Sequence, residues 1–157
     1  MTPFCCSSHS FSSASTGMES LDQIVLESNI KTSTYGTPFY QMINSIKEVF
    51  NDCSTDGWDG YNALAVRQDT AEYALSLIMC FPLDIPIPDF FADTDGHINF
   101  EWYKNSNRIV TASISQDGII YYAALIEQES TNGWAFMSSR IPDDLYALIK
   151  KVVWNDK

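Results

Sequence analysis

Basic residues are scarce in this chain. Nine lysines and arginines stand against twenty aspartates and glutamates, for a formal charge of −11 at pH 7. A field of that sign repels nucleic acid and anionic membranes and attracts basic partners. Basic patches with interleaved aromatics, the mark of nucleic-acid binders, are missing as well. Histidine is scarce, with only His9 and His97 present, so a histidine-based zinc site is not expected. There is no GxGxxG, Walker loop, HExxH or GxSxG, which removes the usual signatures of dinucleotide, nucleotide, zinc-protease and serine-hydrolase sites. The apolar runs, such as residues 77–81, which end at Pro82, fall far short of the roughly 20 residues a membrane helix needs. The N-terminus shows neither a basic segment nor a long apolar one, so no signal peptide is expected. Cys5, Cys6, Cys53 and Cys80 form no CxxC. Reduced thiols in a cytoplasmic protein are the expected state, not disulfides or a metal site.

What is present is enough for a core. The chain has 157 residues, 45% of them hydrophobic, which suits one globular domain. Residues 1–17 hold six serines and no charge and read as a disordered tail or leader. Residues 18–157 read as a single α+β domain. A weak apolar pattern at residues 19–31 suggests a short helix or arm.

The first firm helix is Thr37–Asp52. Thr37 suits an N-cap, Pro38 the first helical position, and Phe39, Met42, Ile43, Ile46, Val49 and Phe50 form one stripe. Residues 69–80 form the second, with a capping-box-like start at Asp69 and a stop at Pro82. Pro82, Pro86 and Pro88 exclude an interior strand, so a connector leads to an edge strand at Asp89–Ala92. Residues 97–103, 108–115 and 119–127 follow as strands, with Asp93-Thr94-Asp95-Gly96, Asn105-Ser106-Asn107 and Gln116-Asp117-Gly118 as turns. Asn132-Gly133 reads as a further turn before a short strand at 134–137. Ile141-Pro142-Asp143-Asp144 opens the last helix, which ends with Lys150 and Lys151 where cations are favoured. Two N-terminal helices, a four- to five-stranded antiparallel meander and a C-terminal helix make a two-layer α+β domain.

The acidity is concentrated. Residues 48–101 carry eleven acids and one base, Arg67, a balance of −10. Within this stretch lies Asp56-Gly57-Trp58-Asp59-Gly60-Tyr61-Asn62-Ala63, where two glycines permit sharp turning. Trp58 is expected to pin the loop, and Asp59 and Tyr61 to be at least partly exposed. Tyr and Trp favour interface anchoring, and carboxylates steer toward basic surfaces. Asp56, Trp58, Asp59, Tyr61, Asp93, Asp95 and Glu101 are therefore the candidate partner-binding residues. Other chemistry is less well supported by the pattern. Asp93, Asp95 and Glu101 echo part of a calcium loop, but the twelve-residue loop is incomplete and a hairpin turn is the better reading. His97 as a general base is weighed against its place at the start of a strand.

Gly57-Trp58-Asp59-Gly60-Tyr61-Asn62-Ala63 carries a resemblance. With the Ile85-Pro86-Ile87-Pro88 connector, the Glu101-Trp102 strand, the Asp117-Gly118 hairpin and the Ile141-Pro142 helix, residues 56–153 resemble a small bacterial family with a GWDGYGA-type motif. Asn62 departs from that motif. The family is similar to small proteins found around mobile elements and toxin–antitoxin loci, which implies an interaction protein of a conflict system.

Three functions are carried forward. The first is a non-enzymatic inhibitor of a basic, nucleic-acid-processing partner: an antitoxin, an immunity protein or a phage-borne inhibitor of a defence nuclease. It would bind no nucleic acid directly, need no cofactor, and could form a homodimer. The second is a small-ligand or peptide-binding module using the Gly-Trp-Asp-Gly-Tyr loop. The third is an enzyme with Asp59 and Glu101 as a carboxylate pair.

Overall fold

In a computed structural model, residues 36–154 are described. The expectations for residues 1–17 and 19–31 lie outside them. The order is α1 (Thr37–Asp52), α2 (Gln68–Ile78), β1 (Asp89–Ala92), β2 (Ile98–Asn105), β3 (Arg108–Ile114), β4 (Ile119–Ile126), β5 (Glu129–Phe136) and α3 (Asp143–Val153). The strands form one antiparallel sheet in the order β1-β2-β3-β4-β5. The class is α+β, and β1 and β5 are its edges.

Strand alternation separates the two faces. Ile98, Phe100 and Trp102 of β2, Val110, Ala112 and Ile114 of β3, and Ile120, Tyr122 and Ala124 of β4 point inward and are buried. The apolar stripes of the helices join them in one core, with α1 against β1 and α2, and α3 against β2, β3 and β4. Phe100 lies at its centre, in edge contact with Phe81 and Phe90 at centroid distances of 6.1 and 4.8 Å. The proline connector has a bonding role here. The Trp102 indole N–H donates to the Pro86 carbonyl at 2.9 Å, so the connector satisfies a buried donor that the sheet cannot reach.

Some expected details are corrected. The α1 N-cap is Gly36, not Thr37, and no side chain caps it. Helix α2 begins at Gln68 after Arg67, again without a side-chain cap, so Asp69 contributes only its first-turn charge. It also ends at Ile78, not Cys80, and turns cover the last two residues. Strand β2 runs two residues further than expected, to Asn105.

The largest difference is β5. Asn132 and Gly133 lie mid-strand, paired with Ala123 and Tyr122, and the strand spans Glu129–Phe136 instead of residues 134–137. Gly133 is there for room, since a Cβ on it would meet the Tyr122 hydroxyl oxygen at 2.5 Å. The tyrosine ring covers the strand where a side chain would otherwise stand. The chain reverses earlier, around Glu127, which takes a positive φ of 59°.

Candidate functional site

The loop that follows α1 closes on itself. Val66 N–H donates to Cys53 O at 2.8 Å, and Gly57 N–H to Ala63 O at 2.7 Å. Gly57 and Gly60 take φ of 75° and 83°, the left-handed turns that glycine permits. The acids stitch the loop. Asp59 Oδ1 accepts from the Tyr61 and Ala63 amides at 2.8 and 3.2 Å, and Asp56 Oδ1 accepts from Ala65 N–H at 2.8 Å. Such closed, self-bonded loops are compact units fixed to the body.

The two loop aromatics divide. Trp58 packs against the core and its indole N–H donates to Leu64 O at 3.1 Å. Tyr61 is 85% exposed. The loop packs the tryptophan and leaves the tyrosine in solvent.

The loop rests beside the β1–β2 hairpin, through Leu64 N–H to Thr94 O at 2.9 Å. In that hairpin Asp93 Oδ1 accepts from the Asp95 and His97 amides at 2.9 and 3.1 Å. Its other oxygen accepts from Asn99 at 3.2 Å and lies 3.6 Å from His97 Nδ1. Asp93 is thus a turn-forming residue, as the hairpin reading expects, while Asp95 is exposed. Among the described residues no group of three or more His, Cys, Asp or Glu side chains could hold a metal ion. Asp59 serves its own loop near the hairpin turn, whereas Glu101 lies at the far end of the hairpin, opposite Asp89.

A cleft of about 710 Å³ runs between α1 and the free edge of β1, with Trp58 at one end. Val49, Phe90 and Phe91 give it apolar walls, and Glu48, Asp52 and Asp89 bring carboxylates. Cys53 also lines it as a free, buried thiol. Burial raises the pKa of that thiol and the neighbouring Asp52 charge adds to the rise, which keeps it a thiol at neutral pH.

The charges around this cleft break two local rules. Asp52 stands in the last turn of α1, where the helix dipole favours cations and no base is present, and Glu48 lies one turn before it. Asp89 and Glu101 are direct cross-strand partners, an arrangement in which like charges repel. Helix α3, by contrast, carries Asp143 and Asp144 in its first turn and Lys150 and Lys151 in its last. The ion pairs seen in the described residues, such as Arg108–Glu127 and Arg140–Asp143, do not involve Glu48, Asp52, Asp56, Asp59, Asp89, Asp95 or Glu101.

A second exposed feature occupies the open face of the sheet. Phe91, Tyr121 and Trp134 share one cross-strand row and are 41%, 44% and 60% exposed. Trp134 meets Phe136 edge-on at 5.4 Å, and His97 stacks on Tyr121 at 6.1 Å. The aromatic alternation in β5 was the available signal for it, and reading Asn132-Gly133 as a turn hid the strand.

No family model matches the chain, and no curated protein or solved structure matches it either. The resemblance of residues 56–153 therefore rests on the sequence motifs alone. No helix among the described residues is long and apolar enough to cross a membrane.

Proposed function

We propose that this is a non-enzymatic protein that binds and occludes a basic protein partner, with the carboxylate-rich side formed by α1, the Gly-Trp-Asp-Gly-Tyr loop and the β1–β2 hairpin. The observation that carries the reading is the convergence of two unfavourable charge placements on one cleft. An acid in the last turn of a helix costs about 0.3–1 kcal/mol, and a like-charge cross-strand pair costs about 0.2–1 kcal/mol. Together these are on the order of 1 kcal/mol in a fold whose net stability is typically about 5–15 kcal/mol. Local rules broken together at one place mark function more often than accident. Cations brought by a basic partner offset these terms. Carboxylates arranged on a preorganised loop and hairpin occupy positions that phosphates take on a nucleic-acid-processing protein. An antitoxin, immunity protein or phage-borne inhibitor fits that chemistry, in line with the resemblance of residues 57–63. Asp56, Asp59, Asp95 and Glu101 then supply charge, Tyr61 an exposed ring, and Trp58 and Asp93 the framework that holds them.

The test is recovery of a partner from extracts of the source cells after nuclease treatment. The bait is the full chain, compared with a Glu48→Gln, Asp52→Asn, Asp89→Asn, Glu101→Gln variant. The expected result is a basic protein that stays bound without nucleic acid, competes with added nucleic acid, dissociates as salt is raised, and is lost with the variant. Recovery only through bridging DNA or RNA, or equal recovery by the neutralised variant, refutes the reading.

A further inference from the structure

We infer that the cleft between α1 and β1 takes an extended segment of the partner, alternately basic and apolar, which adds as a sixth strand to the free edge of β1. The inference rests on the proposed reading of the protein as a binder of basic partners. It adds the mode of binding and the residues that read the segment.

The hydrogen-bonding register supports it. Asp93 N–H donates to His97 O at 3.1 Å, which makes Asp93 and His97 a hydrogen-bonded pair across the hairpin. Antiparallel ladders alternate between bonded and non-bonded pairs. Phe91 with Asn99 and Asp89 with Glu101 are therefore bonded pairs that turn their polar groups toward β2. The N–H and C=O groups of Phe90 and Ala92 point the other way, to the outer edge. Among the described residues no further strand covers that edge, and within them its row of donors and acceptors is unpaired.

Edge strands that remain unpaired usually carry lysine or proline to prevent pairing. β1 reads Asp-Phe-Phe-Ala, and its proline, Pro88, stands one residue before the strand. Strand addition gives affinity through main-chain bonds and selectivity through pockets for alternate side chains. Here one set of side chains on an added strand faces Glu48, Asp52, Val49 and Trp58. The other set faces Asp89 and Phe91. Alternating lysine or arginine with aliphatic residues puts the cations on one side of the added strand and the aliphatics on the other, and because each side offers both carboxylate and apolar surface, such a segment is matched in either register. The volume of about 710 Å³ lies within the range of pockets that enclose small ligands.

The test uses two fluorescein-labelled hexapeptides of equal charge, Lys-Val-Lys-Val-Lys-Val and Lys-Pro-Lys-Pro-Lys-Pro. Anisotropy is read at low salt with the full chain. The valine peptide is expected to bind at least tenfold tighter, because the proline peptide lacks three amide donors. Ala92→Pro, which removes one outward N–H at an edge position where proline is tolerated, should weaken the valine peptide at least tenfold and leave the proline peptide unchanged. Glu48→Gln with Asp52→Asn and Asp89→Asn should weaken both. Thermal melting checks the fold of each variant. Should Ala92→Pro fail to fold, the two-peptide comparison on the unaltered protein decides. Equal binding of the two peptides, or no binding of the valine peptide, overturns strand addition. Either outcome leaves the capture of a basic partner to stand or fall on its own test.

Discussion

Replacing Glu101 by glutamine should make the protein more stable. Asp89 and Glu101 are Cα partners across β1 and β2, and among the described residues neither is in an ion pair with a cation. In a hydrogen-bonded antiparallel pair the Cα atoms are about 5.5 Å apart, which puts the carboxylates roughly 6 Å apart on one face. Coulomb's law then gives about 0.7 kcal/mol of repulsion at the dielectric of water, and about fourfold more at an effective dielectric of 20. Asp89 is exposed and Glu101 half-buried, so the lower figure is nearer. The expected gain is about 0.5–1 kcal/mol, or a Tm rise of about 1–4 °C for a domain of this size. Asp89→Asn should give a similar gain. The double variant should add little to either single one, because removing one charge already removes the repulsion. The gain should fade toward 1 M salt, where the Debye length is about 3 Å. Urea or thermal unfolding of the two single variants and the double variant at low and high salt closes this cycle. No gain from either single variant, or fully additive gains, would refute the argument that these carboxylates repel. The charge-placement case for function would lose one of its two supports.

Gly133→Ala should destabilise by about 1–3 kcal/mol, the range for forcing atoms into a packed site, because its Cβ would meet the Tyr122 ring atom Cζ at 2.6 Å; thermal melting reads it. Trp58→Ala should lower the melting temperature through lost packing and the lost bond to Leu64 O, whereas Tyr61→Ala, at an 85% exposed position, should stay within about 0.5 kcal/mol of the parent. Alkaline pH should destabilise the fold through two tyrosines. Burial foremost, then Asp144, raises the pKa of Tyr122, and the hydrogen bond to Asp84 foremost raises that of Tyr146. A raised folded-state pKa favours the protonated phenol, so this stability is complete below the ordinary tyrosine value near pH 10 and is lost as pH rises through the folded values. Tyr146→Phe should lessen the loss, followed by denaturant midpoints from pH 8 to 11.

The fold was legible where one physical signal dominated. The stripe Phe39, Met42, Ile43, Ile46 has no reading except an amphipathic helix, and Thr37–Asp52 is one. Prolines at 82, 86 and 88 left Asp89–Ala92 only an edge position, which it takes. Helix starts were misread because capping rules concern side chains, and Gly36 and Arg67 form no side-chain cap. Asn132-Gly133 was misread because a short-range turn signal competed with a long-range contact. The ring that requires Gly133 belongs to Tyr122, eleven positions earlier, and no local pattern shows that it covers this strand.

The candidate site was legible in charge and not in geometry. Composition located the acids between residues 48 and 101, but it gave equal weight to carboxylates that hold the chain and carboxylates that face outward. The structure distinguishes them by bond. Asp93 uses both oxygens within its hairpin. Asp56 and Asp59 each use Oδ1 for loop amides, which leaves Oδ2 of each outside the loop's own hydrogen bonds. One carboxylate can thus fix the loop with one oxygen and present the other. Neutralising Asp59 to asparagine would disturb both roles at once, so that substitution cannot separate scaffold from contact. Glu48, Asp52 and Asp89 have no such double role: they hold no turn, Asp52 and Asp89 oppose the local field of their own elements, and all three line one cleft. Their removal tests function with the fold left standing, which makes them better probes than the loop that first draws the eye.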